Sequence, residues 1–300
     1  MTNKVLGIHQ IDKHYKNIQA LRQVSFDVPK GSVFGILGPN GSGKTTLLGI
    51  IMDVLKASSG TYQWFGETPS AAQRKRIGTL LETPNFYHYL SAVDNLKISA
   101  AIKGASDSHI HTVLEKVNLG ERKYAKFNTF SLGMKQRLAI AACLLGSPDV
   151  MVFDEPTNGL DPVGIADVRT IIKQLAAEGK TIIMASHLLD EVEKVCTHVA
   201  ILQRGKLLSF GPVQQILTDE DMVEVSCNDM DKLKSIAPTI NGCTRVEQND
   251  NNLLLYFASN TAALEHLNRT CFESNIVLTH LVLKKRSLES KFFELTNTKN

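Results

Sequence analysis

The sequence predicts an α/β fold: a parallel β-sheet core covered by helices, followed by a small C-terminal α+β domain. Three observations carry that expectation. From residue 150 onward, apolar strand-like runs alternate with amphipathic helical stretches, the pattern of parallel strands joined by crossover helices. The run Val33-Phe34-Gly35-Ile36-Leu37 is unbroken and apolar, as in a strand buried on both faces, and it leads into a glycine-rich loop. Beyond residue 219 the order becomes β-α-β-β-α-β, the split βαβ arrangement. At 300 residues the chain is long for one domain. Roughly 150 residues per domain gives two, placed at 1–219 and 220–300.

Taken in order, Val24, Phe26 and Val28 alternate with polar neighbours as in a strand, and Pro29-Lys30-Gly31 is a turn. A helix begins near Lys44 after the glycine-rich loop, and strand-like runs return at 62–65 and 77–81. From about 84 to 148 the period is helical. Ser91 followed by Asp94 is a capping-box signature. Ile110, Val113, Leu114 and Val117 follow the i, i+3, i+4, i+7 spacing, and Gly120 is a stop. The helix after Ser131 carries Leu138, Ala141 and Leu145 on one face. Strand VMVF, a helix through 168–175, strand TIIMAS, a helix through Val195 and the hairpin VAILQ–RGK–LLSF follow. The C-terminal domain then reads MVEVSC, helix DKLKSI, a polar strand at 244–247, LLLYF, a helix through Leu264, Leu267 and Cys271, and IVLTHLVL. In its last helix Leu288, Phe292 and Leu295 share a face, the mark of packing.

Composition narrows the function classes. Hydrophobic residues at 43% and charged residues at 21% exclude a wholly disordered or collagen-like chain. A net charge of +3 gives no reason to expect nucleic acid as partner. Apolar stretches such as LAIAACLLG fall far short of the ~20 residues of a spanning helix. The opening MTNKVLGIHQ lacks the apolar segment of a secretory leader. The expectation is a cytoplasmic chain. Five cysteines without a C-x-x-C pair agree, and point to small buried hydrophobes or thiols rather than metal or redox chemistry.

Gly38 to Thr46 reads GPNGSGKTT, which satisfies G-x-x-x-x-G-K-[ST] between a strand and a helix. Gly38, Gly41 and Gly43, with Pro39, Asn40 and Ser42 between them, let successive backbone N–H groups converge on phosphate oxygens. The helix N-terminus adds partial positive charge. Lys44 is placed to bridge the β- and γ-phosphates, Thr45 to ligate Mg²⁺ and Thr46 to reach the α-phosphate. In VMVFDE, four apolar residues deliver Asp154 and Glu155 to the carboxyl end of a buried strand, where open α/β sheets bind ligands. Asp154 is the candidate Mg²⁺ holder. Glu155 is the candidate general base for an attacking water. These residues describe a P-loop nucleoside triphosphatase.

Two further segments, FSLGMKQR (130–137) and SHLLDE (186–191), resemble the ATP-binding cassette family, and specifically the ATPase subunits of bacterial exporters similar to bacitracin and lantibiotic self-resistance transporters. The resemblance spans about 4–215 and implies a RecA-like core, an N-terminal antiparallel β subdomain and an inserted helical subdomain at 84–148. It implies ATP and Mg²⁺ as cofactors. Tyr15 matches the aromatic that stacks on adenine. Ser131 and Gly133 match the family signature facing the nucleotide of a second subunit. Asp161, in DEPTNGLDP, matches the D-loop residue that touches that subunit, and His187 matches the switch histidine at the γ-phosphate. The catalytic set is then Lys44, Glu155 and His187. Phe130, Leu132 and Met134 depart from the usual signature residues, and Glu82 stands where most of the family has Gln as a Mg²⁺ neighbour.

The resemblance also implies partners: a separate transmembrane permease, and a second ATPase subunit that is identical or a close paralogue. It places the chain on the cytoplasmic face of the membrane, with the aromatic stretch PNFYHYL (84–90) toward the permease. The basic runs at 73–76 and 284–286 read as solvated faces. The alternative is a soluble cassette protein acting on ribosomes or nucleic acid. A single cassette, the small net charge and the lack of sustained heptads between Lys44 and Ser131 oppose it.

Overall fold

The computed structural model describes residues 4–81, 84–217, 220–249, 251–258, 261–284 and 287–297. It divides into two compact units at Gly211/Pro212. The first contains β1 (Lys4–Tyr15), β2 (Ile18–Pro29), β3 (Val33–Leu37), α1 (Lys44–Ile51), β4 (Ser59–Trp64), α2 (Ala71–Arg74) and β5 (Ile77–Leu80). Helices α3 (Ala92–Lys103), α4 (His109–Lys116) and α5 (Leu132–Leu144) follow. The chain continues through β6 (Val150–Asp154), α6 (Pro162–Ala177), β7 (Thr181–Ser186), α7 (Leu189–Val195), β8 (His198–Gln203) and β9 (Lys206–Pro212).

The central sheet has the order β5-β6-β7-β3-β8-β9. Strands β5, β6, β7, β3 and β8 pair in parallel. Every residue of β3, β6 and β7 is buried, which is why these strands read as continuous apolar runs. A separate antiparallel sheet, β2-β1-β4, buries Leu6, Ile11, Val24 and Trp64 in the same core as Phe34, Leu47 and Val152. Helices α3, α4 and α5 pack on one another as the helical subdomain. Ser91 caps α3 by accepting from the Asp94 N–H at 3.1 Å. The complete capping box lies elsewhere, where Ser70 and Gln73 exchange bonds at the start of α2. Leu145 and Val117 sit at the C-caps of α5 and α4, one residue past the helices expected to carry them.

The second unit comprises α8 (Val213–Leu217), β10 (Glu220–Cys227), α9 (Met230–Ile236), β11 (Cys243–Asn249), β12 (Asn252–Ala258), α10 (Leu264–Glu273), β13 (Leu278–Lys284) and α11 (Leu288–Asn297). Its antiparallel sheet has the order β11-β12-β10-β13, so β10 and β11 are split by β12. Val223, Val225, Leu255 and Phe257 face Leu233, Leu267 and Cys271 in one core. The division falls eight residues before the expected 219/220 boundary, because α8 buries Val213 and Ile216 and packs on α11.

Candidate functional site

Three parallel strands bring the site together. Leu37, Asp154 and Ser186 end β3, β6 and β7, which lie side by side in the sheet, so the loops that follow share one edge. The glycine-rich loop bends tightly after β3. At the N-cap of α1, Gly43 has φ 105°, and an added Cβ would lie 2.7 Å from the Ala20 carbonyl and from Leu21 Cδ2. A Cβ at Gly38 would collide with the Leu202 carbonyl and the Ser42 side chain. Ser42 is 1% exposed, and its backbone carbonyl accepts from the Gly205 N–H at 3.0 Å. No side chain caps α1, so its first N–H groups remain directed at the loop.

Lys44 is nearly buried and its ammonium donates back to the Gly38 carbonyl at 2.8 Å and the Pro39 carbonyl at 3.4 Å. It also lies 3.4 Å from Glu155 Oε1. The other carboxylate oxygen of Glu155 lies 2.9 Å from His187 Nδ1 and accepts from the His187 backbone N–H at 3.4 Å. The three residues expected to be catalytic thus form one chain: ammonium, carboxylate, imidazole. Glu155 reaches this position with φ 49°, a left-handed backbone uncommon for a non-glycine residue, while its N–H donates to the Ala185 carbonyl at 3.0 Å. Local backbone strain of this kind is held by the surrounding structure and collects at functional sites.

A cleft of about 360 Å³ lies over the loop, lined by Tyr15, Ala20, Asn40 through Thr46 and Glu155. Tyr15 is 42% exposed at its rim, with Lys13 Nζ 4.9 Å from its ring centre. An adjoining cavity of about 270 Å³ is lined by Thr45, Pro84, Leu132, Gln136, Asp154, Glu155 and Asn158. Asp154 is 3% exposed. Thr45 and Asp154 therefore face one cavity with oxygen donors, the set a hard cation takes. Among the described residues no group of three His, Cys, Asp or Glu could hold a metal alone. Glu82 lies outside the described residues.

Ser131 and Asp161 both work as helix caps. Ser131 Oγ accepts from the Met134 N–H at 3.3 Å at the start of α5, and Asp161 Oδ1 accepts from the Gly164 N–H at 2.9 Å at the start of α6. Neither lines the Lys44 cleft of this chain, and Gly133 does not either. Ala20, Gln136 and Asn158 line the two cavities without having been singled out by sequence. Gln136 and Asn158 sit within segments already marked, FSLGMKQR and DEPTNGLDP, but nothing in a single sequence tells which of their residues face the site.

The ABC transporter family model matches residues 21–158. The ABC transporter ATP-binding protein YdbJ of Bacillus subtilis (strain 168) is 36% identical over 303 residues, covering 99% of this chain and 96% of that protein. The chain belongs to the ATP-binding cassette family. The lantibiotic transport ATP-binding protein SrtF of Streptococcus pyogenes is 40% identical, over 68% of this chain and 89% of that protein. The bacitracin transport ATP-binding protein BcrA of Bacillus licheniformis is 34% identical over 97% of both. Among solved structures, the ADP conformation of MJ1267, an ATP-binding cassette of an ABC transporter, superposes with TM-score 0.65 at 27% identity, over 71% of this chain and 93% of that one. A dimeric post-hydrolysis state of the cassette MJ0796, bound to ADP and Pi, gives 0.62 at 25%, over 69% and 98%. The cassette is thus a nucleotide-binding ATPase subunit of a transporter, and the ribosome or nucleic-acid alternative gains no support from these relatives. No helix among the described residues is long and apolar enough to cross a membrane.

Proposed function

We propose that this chain is the motor subunit of an exporter. It closes with a second ATPase subunit on ATP and Mg²⁺ and drives a separate permease from the cytoplasmic face of the membrane. The observation that carries this reading is the Lys44–Glu155–His187 chain at the mouth of the glycine-rich loop. An incoming triphosphate competes with Glu155 for Lys44, because loop N–H groups and the ammonium both favour the anion. Once Lys44 turns to phosphate, Glu155 keeps His187 and gains a free oxygen to orient and deprotonate water. Thr45 and Asp154 are the residues here that would hold Mg²⁺, which when bound neutralises charge on the phosphates. Tyr15, at the cleft rim, supplies a face for the base.

The names of SrtF and BcrA, lantibiotic and bacitracin transport ATP-binding proteins, support a role in transport, and export through a permease is this reading's own step beyond them. The pairing of subunits follows from the dimeric MJ0796 structure, with Ser131, Gly133 and Asp161 directed to the neighbour. The docking face is the 84–90 segment. Asn95, 1% exposed, accepts from the Tyr87 N–H at 2.8 Å and donates to the Tyr87, Leu90 and Ser91 carbonyls. The segment is thereby held while Tyr87 and Tyr89, in edge contact at 6.0 Å, stay exposed.

Glu155→Gln tests the chemistry. Turnover is expected to fall by about 10²–10⁴-fold, the range of general acid–base catalysis, with ATP binding retained. Hydrolysis at the parental rate refutes the base assignment.

A further inference from the structure

We infer that the cavity beside the Lys44 cleft holds the water that Glu155 activates, and that Gln136 is the positioning residue that keeps it there. This rests on the reading of Glu155 as general base. Thr45 and Glu155 line both the cleft of about 360 Å³ and the cavity of about 270 Å³, so they form the wall between the two. On the cavity side Asp154 and Asn158 join them, which makes one wall rich in oxygen. Gln136 enters from α5. It follows Leu132 by four residues, which puts the two on one face of the helix, and both line the cavity.

Packing does not explain a glutamine at this position. The other buried residues of α5, Leu138 to Ala141, Cys143 and Leu144, are apolar. Gln136 is 6% exposed, and its carboxamide makes no hydrogen bond with any described residue. A buried amide left unpaired is destabilising, so its donor and acceptor call for partners. The cavity has the volume for several waters at about 30 Å³ each. Water between the carboxamide and the carboxylates suits both sides, because the amide N–H groups donate to water and water donates to carboxylates that only accept. The two oxygens of Glu155 hold Lys44 at 3.4 Å and His187 Nδ1 at 2.9 Å. Once Lys44 turns to phosphate, the freed oxygen borders this supply. Glu155 then takes one proton of a water as the water oxygen bonds to the γ-phosphorus, and the bond from that phosphorus to the oxygen of the departing ADP breaks.

Gln136→Met keeps the length of the side chain and removes both hydrogen-bonding groups. In high-resolution crystal structures without nucleotide, the wild type should show an ordered water, or a file of waters, joining the Gln136 carboxamide to Asp154 or Glu155, and Gln136→Met should lose it. No such water in the wild type overturns the inference without any variant having to fold. In turnover, Gln136→Met is expected to lower kcat roughly three- to tenfold, the equivalent of one ordinary hydrogen bond, with Mg-ATP affinity unchanged. In the Glu155→Gln background, followed as a single turnover with enzyme in excess, the same change should cost nothing further, because the base that used the water is gone. A merely structural role lowers both rates alike. Equal losses in the two backgrounds, or a parental rate in Gln136→Met, overturn the role of Gln136 while the ATPase reading stands. Parental hydrolysis by Glu155→Gln overturns the base reading itself, and this inference with it.

Discussion

Replacing Gly43 by alanine puts a methyl group where the structure has no space and a backbone where alanine is strained. The residue holds φ 105°, and the new carbon would lie 2.7 Å from the Ala20 carbonyl and 2.7 Å from the side chain of Leu21, which is fully buried. Strain at a glycine-type backbone costs about 1–3 kcal/mol and overpacking a similar amount, together about 2–6 kcal/mol. A domain with about 5–15 kcal/mol of stability tolerates the lower part of that range by withdrawing the loop from β2. The loop then no longer presents its N–H groups to phosphate, and about 2 kcal/mol corresponds to about a 30-fold loss of ATP affinity. Gly41 is the internal comparison. It has φ 79°, yet an added Cβ would meet nothing within 4 Å, so Gly41→Ala carries only the backbone cost, at the lower end about fivefold. Titration calorimetry with Mg-ATP, alongside urea unfolding, reads both quantities. Wild-type affinity in Gly43→Ala, or equal losses at the two positions, would refute the packing argument.

Two further expectations concern the rest of the molecule. The Lys284 ammonium 2.9 Å from Glu224, aided by Asn252 and His280, holds the Glu224 carboxyl below the ordinary glutamate range against the opposing effect of burial. A depressed carboxyl contributes stability that is present above its unfolded pKa near 4.5 and is lost as pH falls through the lower folded value. Glu224→Gln is therefore expected to flatten the acid limb of the C-terminal unit's unfolding midpoint below about pH 4.5; an unchanged limb contradicts the assignment. Burial pushes the Cys143 thiol up to about 12, and its sulfur donates to the Thr79 carbonyl at 2.9 Å. Cys243 is the one cysteine of the five that is not buried. Iodoacetamide on the native protein should label Cys243 first and Cys143 only on unfolding, as peptide mass mapping would read; early labelling of Cys143 contradicts this.

Much of the sheet was legible because burial on both faces writes itself into the sequence. Strands β3, β6 and β7 needed only their apolar runs, and the loop glycines announced the site between β3 and α1. Periodicity also exposed the C-terminal order β-α-β-β-α-β, since each element there spans several alternations. The four-residue helix α2 was illegible for the opposite reason: Ser70 and Gln73 cap it, but Ala71–Arg74 is too short to show a helical period. The contact of Lys44 with Glu155 depends on sheet order, which places β6 two strands from β3, and no local pattern encodes that. Nor does any residue preference foretell φ 49° at Glu155; the sheet edge and the Ala185 carbonyl impose it.

The most direct measurement is a structure of Glu155→Gln solved with Mg-ATP. The triphosphate should lie along residues 38–46, with Lys44 Nζ turned from its 2.8 Å bond at the Gly38 carbonyl to phosphate oxygen and residue 155 released from it. A nucleotide bound elsewhere, or a triphosphate in the loop with the Lys44 bond to Gly38 and its contact with residue 155 intact, would contradict the account.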